Sequence, residues 1–207
     1  MDRSYLFSRI SSAGTKNAFT GKSNLGYGSY LPVSTTLGQS PKDAGLEEGY
    51  PLHLLTQRDI RQTKSRTVVD YWLLSSLPEN SIIINTIDAK RLGLKNGDKV
   101  KVVSATNKEG IWDLRNGTKK PMVGKVTVTE TIKPGVVTFF LGFGHWATGS
   151  VDVTIDGKVI KGDSRRATGV HANAAMWVDP YLKNTCMLDP VGGSVSFYDT
   201  KVKLIKV

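Results

Sequence analysis

Cysteine is nearly missing from this chain: Cys186 is the only one in 207 residues. A single thiol excludes an intrachain disulfide framework and a four-cysteine zinc site. Histidine is almost as scarce. His53, His145 and His171 lie far apart, and no His-x-x-x-His or Cys-x-x-Cys spacing offers a metal its ligands. No Gly-x-Ser-x-Gly elbow occurs, and no nucleophile sits beside a base, which disfavours an independent hydrolase. Long hydrophobic runs are missing too. The longest, Val136 to Trp146, is broken by Thr138, Gly142, Gly144 and His145, and at about eleven residues falls short of the roughly 20 that cross a bilayer. The opening residues, Met1-Asp2-Arg3-Ser4-Tyr5, hold no apolar signal core and no twin-arginine pair. The expectation is a soluble chain that makes no membrane contact itself, with no compartment indicated.

Acidic residues are in short supply, with 18 Asp and Glu against 28 Lys and Arg, a net charge of +10. Most of the excess, +6, falls in residues 51–130. Within that stretch Arg58, Arg61, Lys64 and Arg66 face only Asp59, so an anion between them would relieve their repulsion. A solvated loop with mobile side chains explains the same cluster equally well on charge alone. Nucleic acid is disfavoured, because the cluster holds no aromatic residue and no recognition motif accompanies it.

Phosphate-binding fingerprints fail on spacing. Gly142 and Gly144 are followed by Gly149, too late for the dinucleotide fingerprint, and Gly117 to Gly124-Lys125 is too long for a Walker loop. Even so, Leu141-Gly-Phe-Gly-His-Trp-Ala-Thr-Gly149 follows a buried-type strand. Its glycines permit close approach, and His145 and Trp146 offer a titratable group and a flat surface. A strand-end bulge with Trp146 in the core is the competing reading.

The first fifty residues are rich in Ser, Gly, Thr, Asn and Pro and read as an irregular arm. From Tyr50 the texture changes. Leu52–Thr56, Ser81–Asn85, Lys99–Ser104, Gly124–Glu130, Val136–Leu141 and Lys201–Val207 read as strands, several by clean alternation. His53 in the first of these is expected to be a core histidine. Val68–Leu77 holds a possible helical turn stopped by Pro78. Thr86 is expected to cap a short helix over Ile87–Leu92 that Gly93 ends, with Asp88 at its positive end. Val151–Ile155 and Lys158–Ile160 around Asp156-Gly157 predict a hairpin. Many short strands without βαβ alternation point to a mainly β fold with short helices, a barrel or a sandwich.

The order of these elements resembles a known family. Tyr50-Pro-Leu-His-Leu-Leu-Thr-Gln-Arg58, Ser65-Arg66, Ile82-Ile-Ile-Asn-Thr-Ile-Asp88, Leu92-Gly93 and Asn96-Gly-Asp-Lys-Val-Lys-Val come first. VTVTETIKPG over Val126–Gly135, Gly142-Phe-Gly-His145, Asn184 and Asp189-Pro-Val-Gly192 follow. This ordered set resembles the C-terminal domain of molybdopterin oxidoreductases of the dimethyl sulfoxide reductase family. The nearest branch is that of tetrathionate, polysulfide, thiosulfate and arsenate reductases.

The resemblance implies a double-psi β-barrel over residues 50–207 that binds molybdopterin guanine dinucleotide, with residues 1–49 as the connection to a preceding domain. Molybdenum or tungsten would be held by the cofactor and not by this chain. The cofactor contacts it implies are Thr56, Gln57, Arg58, Ser65 and Arg66, with Gly144 and His145 near a pterin, and Asn184 and Asp189 beside a pterin ring. Asn173 is a lesser candidate, and Tyr198-Asp199-Thr200 stands where the family often has a Lys or Tyr contact. The partners implied are the remaining domains or subunits of the enzyme, including an iron–sulfur part, whose cysteine motif this sequence lacks. The chain is expected to be inactive alone, within a reductase of an inorganic sulfur or arsenic oxyanion that full-length members often export. The alternative is a non-enzymatic basic β-barrel binding an acidic protein or nucleic acid.

Overall fold

A computed structural model describes residues 14–16, 21, 23, 32–115, 117–146, 149–182, 185–188 and 193–207. Six strands close into a barrel: β1 (Leu52–Gln57), β2 (Ile82–Asn85), β3 (Lys99–Ser104), β6 (Val123–Thr129), β7 (Val136–Phe140) and β10 (Lys201–Lys206). Around the barrel their order is β1-β10-β3-β6-β2-β7, with β7 returning to β1. Two pairs are parallel, β1 with β7 (Leu54 opposite Val137) and β2 with β6 (Ile84 opposite Val128), and the other neighbours are antiparallel. Closure leaves no free sheet edge, which is how a small barrel avoids edge-to-edge association.

The alternation in the sequence sets which side chains fill the interior. Leu52, Leu54, Ile82, Ile84, Val100, Val102, Val126, Val137, Phe139, Val202 and Leu204 form one buried cluster. Along β1 the buried positions are Leu52, Leu54 and Thr56, so the same period that fills the core also places a threonine hydroxyl at the strand's end. Small two-stranded ribbons add to the barrel: β4 (Ile111–Asp113) with β5 (Lys119–Pro121), and β8 (Val153–Ile155) with β9 (Lys158–Ile160). The second is the hairpin expected from Asp156-Gly157, whose φ angles of 49° and 75° suit a two-residue turn. The first was not expected from the sequence, although its strands are the same length as those of the second.

Two short α-helices occur, α1 (Tyr71–Ser76) and α2 (Thr86–Arg91). The cap of α2 corrects the sequence reading. Asn85, not Thr86, accepts from the Ile87 N–H at 2.8 Å, while its Nδ2 donates to the Ile132 carbonyl at 2.6 Å. An amide supplies both an acceptor and a donor, whereas the hydroxyl of Thr86 belongs to the first helical residue. Asn85→Ala is expected to cost about 1–2 kcal/mol by loss of the cap, read from the urea midpoint. Asp88 is buried and does more than face the helix end. It accepts from Arg91 at 2.7 Å and from the backbone N–H of Gly135, tying α2 to the turn before β7.

The described chain divides into two compact units, Gly49–Met176 with Phe197–Val207, and Met1–Glu48 with Trp177–Ser196. The first contains the barrel. In the second, the buried Asp179 carboxylate accepts from the Thr36 N–H at 2.6 Å, the Thr36 hydroxyl at 2.9 Å and the Tyr181 N–H at 2.8 Å. Among the described residues no helix is long and apolar enough to cross a membrane.

Candidate functional site: a cationic pocket at one rim of the barrel

Parallel pairing brings the C-terminal ends of β1 and β7 to the same rim, with Gln57 opposite Phe140 and the Leu141 N–H donating to the Gln57 carbonyl at 2.8 Å. Loops leaving that rim enclose an open pocket of about 330 Å³. Thr56, Gln57 and Arg58 line it from β1, Lys64 from the 3-10 turn Lys64–Arg66, and Leu141, Gly142 and His145 from the segment after β7. His171 and Asn173 contribute from around the 3-10 turn Ala172–Ala175, and Phe197 and Tyr198 from the approach to β10. His53 belongs to the supporting wall. It is half-buried, and its ring nitrogen bonds the Tyr198 carbonyl, which pins the β10 approach against β1.

The glycines expected to permit close approach do so toward the protein itself. A Cβ at Gly142 would lie 2.5 Å from the Lys64 carbonyl carbon, and one at Gly144 would lie 2.4 Å from the His171 nitrogen. Both residues have positive φ, 95° and 73°. The loop after β7 is thereby packed onto the two other loops that line the pocket. Asn80 holds the far side. Its Nδ2 donates to the carbonyls of Phe140 (2.7 Å) and Val170 (2.9 Å), and its Oδ1 accepts from the Val170 N–H (2.8 Å).

The described lining of the pocket is cationic. Of the four clustered basic residues, Arg61 is committed elsewhere: its Nε and Nη2 donate to the Asp59 carboxylate at 2.7 and 2.9 Å, and its Nη1 to the Ser76 carbonyl. The paired guanidinium keeps the Asp59 carboxyl below the usual range. Arg58 and Lys64 line the pocket, and no Asp or Glu is among the described residues lining it. Two imidazoles share the lining. The Trp112 ring stacks on His171 at 4.2 Å between centroids, and His145 lies 4.5 Å from His171. Burial, then the charge of Lys120, lowers the pKa of His145. Burial above all pushes His171 down to about 4, helped by His145 and Lys120 and opposed by the backbone of Phe143.

Thr56, Gln57, Arg58 and His145 are therefore brought together as expected, with Asn173 and Tyr198 beside them. Arg66 is exposed in its 3-10 turn and does not line the pocket, and Ser65 shares that turn. Gly144 shapes the loop without facing the cavity. Asn184 and Asp189 lie outside the described residues. Trp146 is half-buried and does not line the pocket; Trp112, also off the lining, backs it by stacking on His171. His171 and Phe197 went unread, since neither carries a motif of its own; the positive-φ Gly169 two residues before His171 was the one local signal.

The donor set suits a phosphorylated heteroaromatic compound. Cations answer phosphate, amides and imidazoles answer ring-edge donors and acceptors, and aromatic faces answer the ring. The buried Thr56 Oγ1 has no hydrogen-bond partner among the described residues. The volume lies at the small end for ligand pockets, so it suits part of a dinucleotide.

Comparison with known proteins agrees with this chemistry. Residues 52–112 match the model of the family described as "Molydopterin dinucleotide binding domain". A selenate reductase subunit from Mesobacillus selenatarsenatis is 39% identical over 196 residues, covering 94% of this chain and 18% of that protein. A tetrathionate reductase subunit from Archaeoglobus fulgidus is 29% identical over 148 residues, covering 67% of this chain and 12% of that one. The chain thus spans less than a fifth of either relative. Among solved structures, acetylene hydratase from Pelobacter acetylenicus superposes with a TM-score of 0.56 at 18% identity, over 90% of this chain and 22% of that one, which is a likeness of fold. The non-enzymatic reading of the basic barrel finds no support among these relatives. A barrel with this rim pocket, this family match and these relatives places the chain among the molybdopterin dinucleotide-binding domains of the dimethyl sulfoxide reductase family of molybdopterin oxidoreductases.

Proposed function

We propose that the barrel unit holds molybdopterin guanine dinucleotide for a larger reductase acting on an oxyanion, of sulfur, arsenic or a chemically similar element. The observation that carries this reading is the rim pocket, lined together by Arg58, Lys64, His145, His171 and Asn173. When bound, the cofactor supplies the molybdenum or tungsten at which electrons are exchanged. The chain's own part is to bind and orient. Arg58 and Lys64 neutralise pyrophosphate charge, with Thr56 and Gln57 adding hydrogen bonds beside them. The imidazoles and the Asn173 amide meet a ring edge, and Phe197 and Tyr198 close the wall toward β10.

The two parallel pairs within a closed six-stranded barrel support a double-psi arrangement. Residues 50–207 are read as the cofactor domain, residues 1–49 as the connection to a preceding one, and an iron–sulfur part of the enzyme as the electron partner.

Titration of the chain with GDP tests the pocket. Replacing both Arg58 and Lys64 by alanine is expected to weaken binding about tenfold, with a shallower salt dependence than the parent. Unchanged affinity would remove the pocket from the phosphate's path. Tight, salt-sensitive binding of unrelated DNA with no response to GDP would return the basic-module reading.

A further inference from the structure

His171 is the pocket residue whose surroundings pull hardest in opposite directions. Trp112 covers one face of its ring at 4.2 Å and 27° between planes, an arrangement that favours a cation over the indole. The Phe143 backbone also favours the charged ring, but burial above all and the neighbouring cationic groups oppose a positive charge. His145 lies 4.5 Å away from the loop after β7, and Lys120 approaches from β5 with its ammonium bonded to the Ala167 carbonyl. Arg58 at the end of β1 and Lys64 in its 3-10 turn share the cavity. No carboxylate is among the described residues that line it. Burial above all, helped by His145 and Lys120, holds the ring neutral.

An anion entering this pocket reverses the balance. Its negative charge offsets the repulsion from Lys120 and attracts a proton to the ring, with the Trp112 face and the Phe143 backbone stabilising the imidazolium. We infer that His171 is an anion-contact residue, neutral while the pocket is open and protonated against a bound anion, so that binding draws one proton from solvent. His145 is too close to be charged at the same time, so the pair takes up one proton and not two. The inference rests on the phosphate-binding reading above and adds a proton-linked residue to it. Its sign is definite: a group whose pKa rises on binding makes binding tighten as pH falls through the interval between its free and bound values.

The wild-type chain is titrated with GDP while the His171 ring resonances are followed by NMR between pH 4 and 8. The expected result is a pKa near 4 without GDP, rising by about one to two units when GDP is bound. Calorimetry at pH 5.5 in buffers of different ionisation enthalpy gives a second readout, which also subtracts the nucleotide's own titration. His171→Gln, which keeps a neutral donor and acceptor, is expected to bind with less proton uptake than the parent. It should also lose the part of the affinity that grows between pH 7.5 and 5.5. Equal weakening at both pH values would mean His171 only packs the site, and would overturn the inference. An unmoved His171 pKa in a complex that forms would overturn it too, leaving the phosphate reading intact. Failure of GDP to bind the wild-type chain at any of these pH values would overturn both.

Discussion

Gly144→Ala is expected to destabilise the protein by about 3 kcal/mol, as the sum of left-handed backbone strain and overpacking. Its φ is 73°, and the added Cβ would stand 2.4 Å from the His171 nitrogen and 2.6 Å from the Val170 carbonyl carbon. Both are backbone atoms, which cannot swing aside as a side chain would. The loop after β7 and the segment before the Ala172–Ala175 turn would have to separate, carrying His145 and His171 apart. Gly135 is the internal control. Its φ is 83°, but a Cβ there meets nothing within 4 Å, so Gly135→Ala should cost only the strain, about 1–2 kcal/mol. Urea denaturation at constant slope compares the two. Equal losses would mean that the contact with His171 imposes no cost of its own. GDP affinity should follow the same order, falling at Gly144→Ala and holding at Gly135→Ala, which lies in the turn before β7.

Asn80→Ala is the second large effect, again about 3 kcal/mol, because each buried group left without its partner costs roughly 1–3 kcal/mol. Asn80 is 1% exposed, so water cannot replace the three bonds it makes to Phe140 and Val170. One of those residues ends β7 and the other precedes His171. Loss of the amide therefore frees the pocket wall as well as lowering stability. The Val170 amide hydrogen should exchange with solvent markedly faster in the variant than in the parent. Unchanged protection at Val170, with stability within about 1 kcal/mol of the parent, would show that the clamp is dispensable.

These two positions show where local pattern stops informing. Gly144 was legible as a special backbone position, because a glycine beside another glycine after a buried strand invites close approach. What it approaches was not legible: the neighbour is Val170-His171, over 25 residues further along the chain. Asn80 sits before a β-branched strand and reads locally as a turn residue. Its role depends on two carbonyls 60 and 90 residues away. Arg61 is the reverse case. It looked like part of one anion-binding cluster, yet its bidentate contact with Asp59, two residues back, removes it from the pocket. A charge count over nine residues cannot say which of four cations is already neutralised.

The strands themselves were set by the chain's own chemistry. Alternation in Leu52–Gln57, Lys99–Ser104 and Lys201–Lys206 and β-branching in Ile82–Asn85 decide which side chains face inward. The order of motifs from Tyr50 to Gly192 was enough to identify the family, and Thr56, Gln57, Arg58 and His145, singled out with it, line one pocket. Tertiary structure alone decided that β1 pairs with β7 in parallel, Leu54 beside Val137 across 83 residues of sequence. That pairing puts two strand ends at one rim and there assembles Arg58, Lys64, His145, His171 and Tyr198. The reason is physical: side-chain period and turn chemistry act over a few residues, whereas a pocket is made by strand closure, which is paid for by the whole buried core at once.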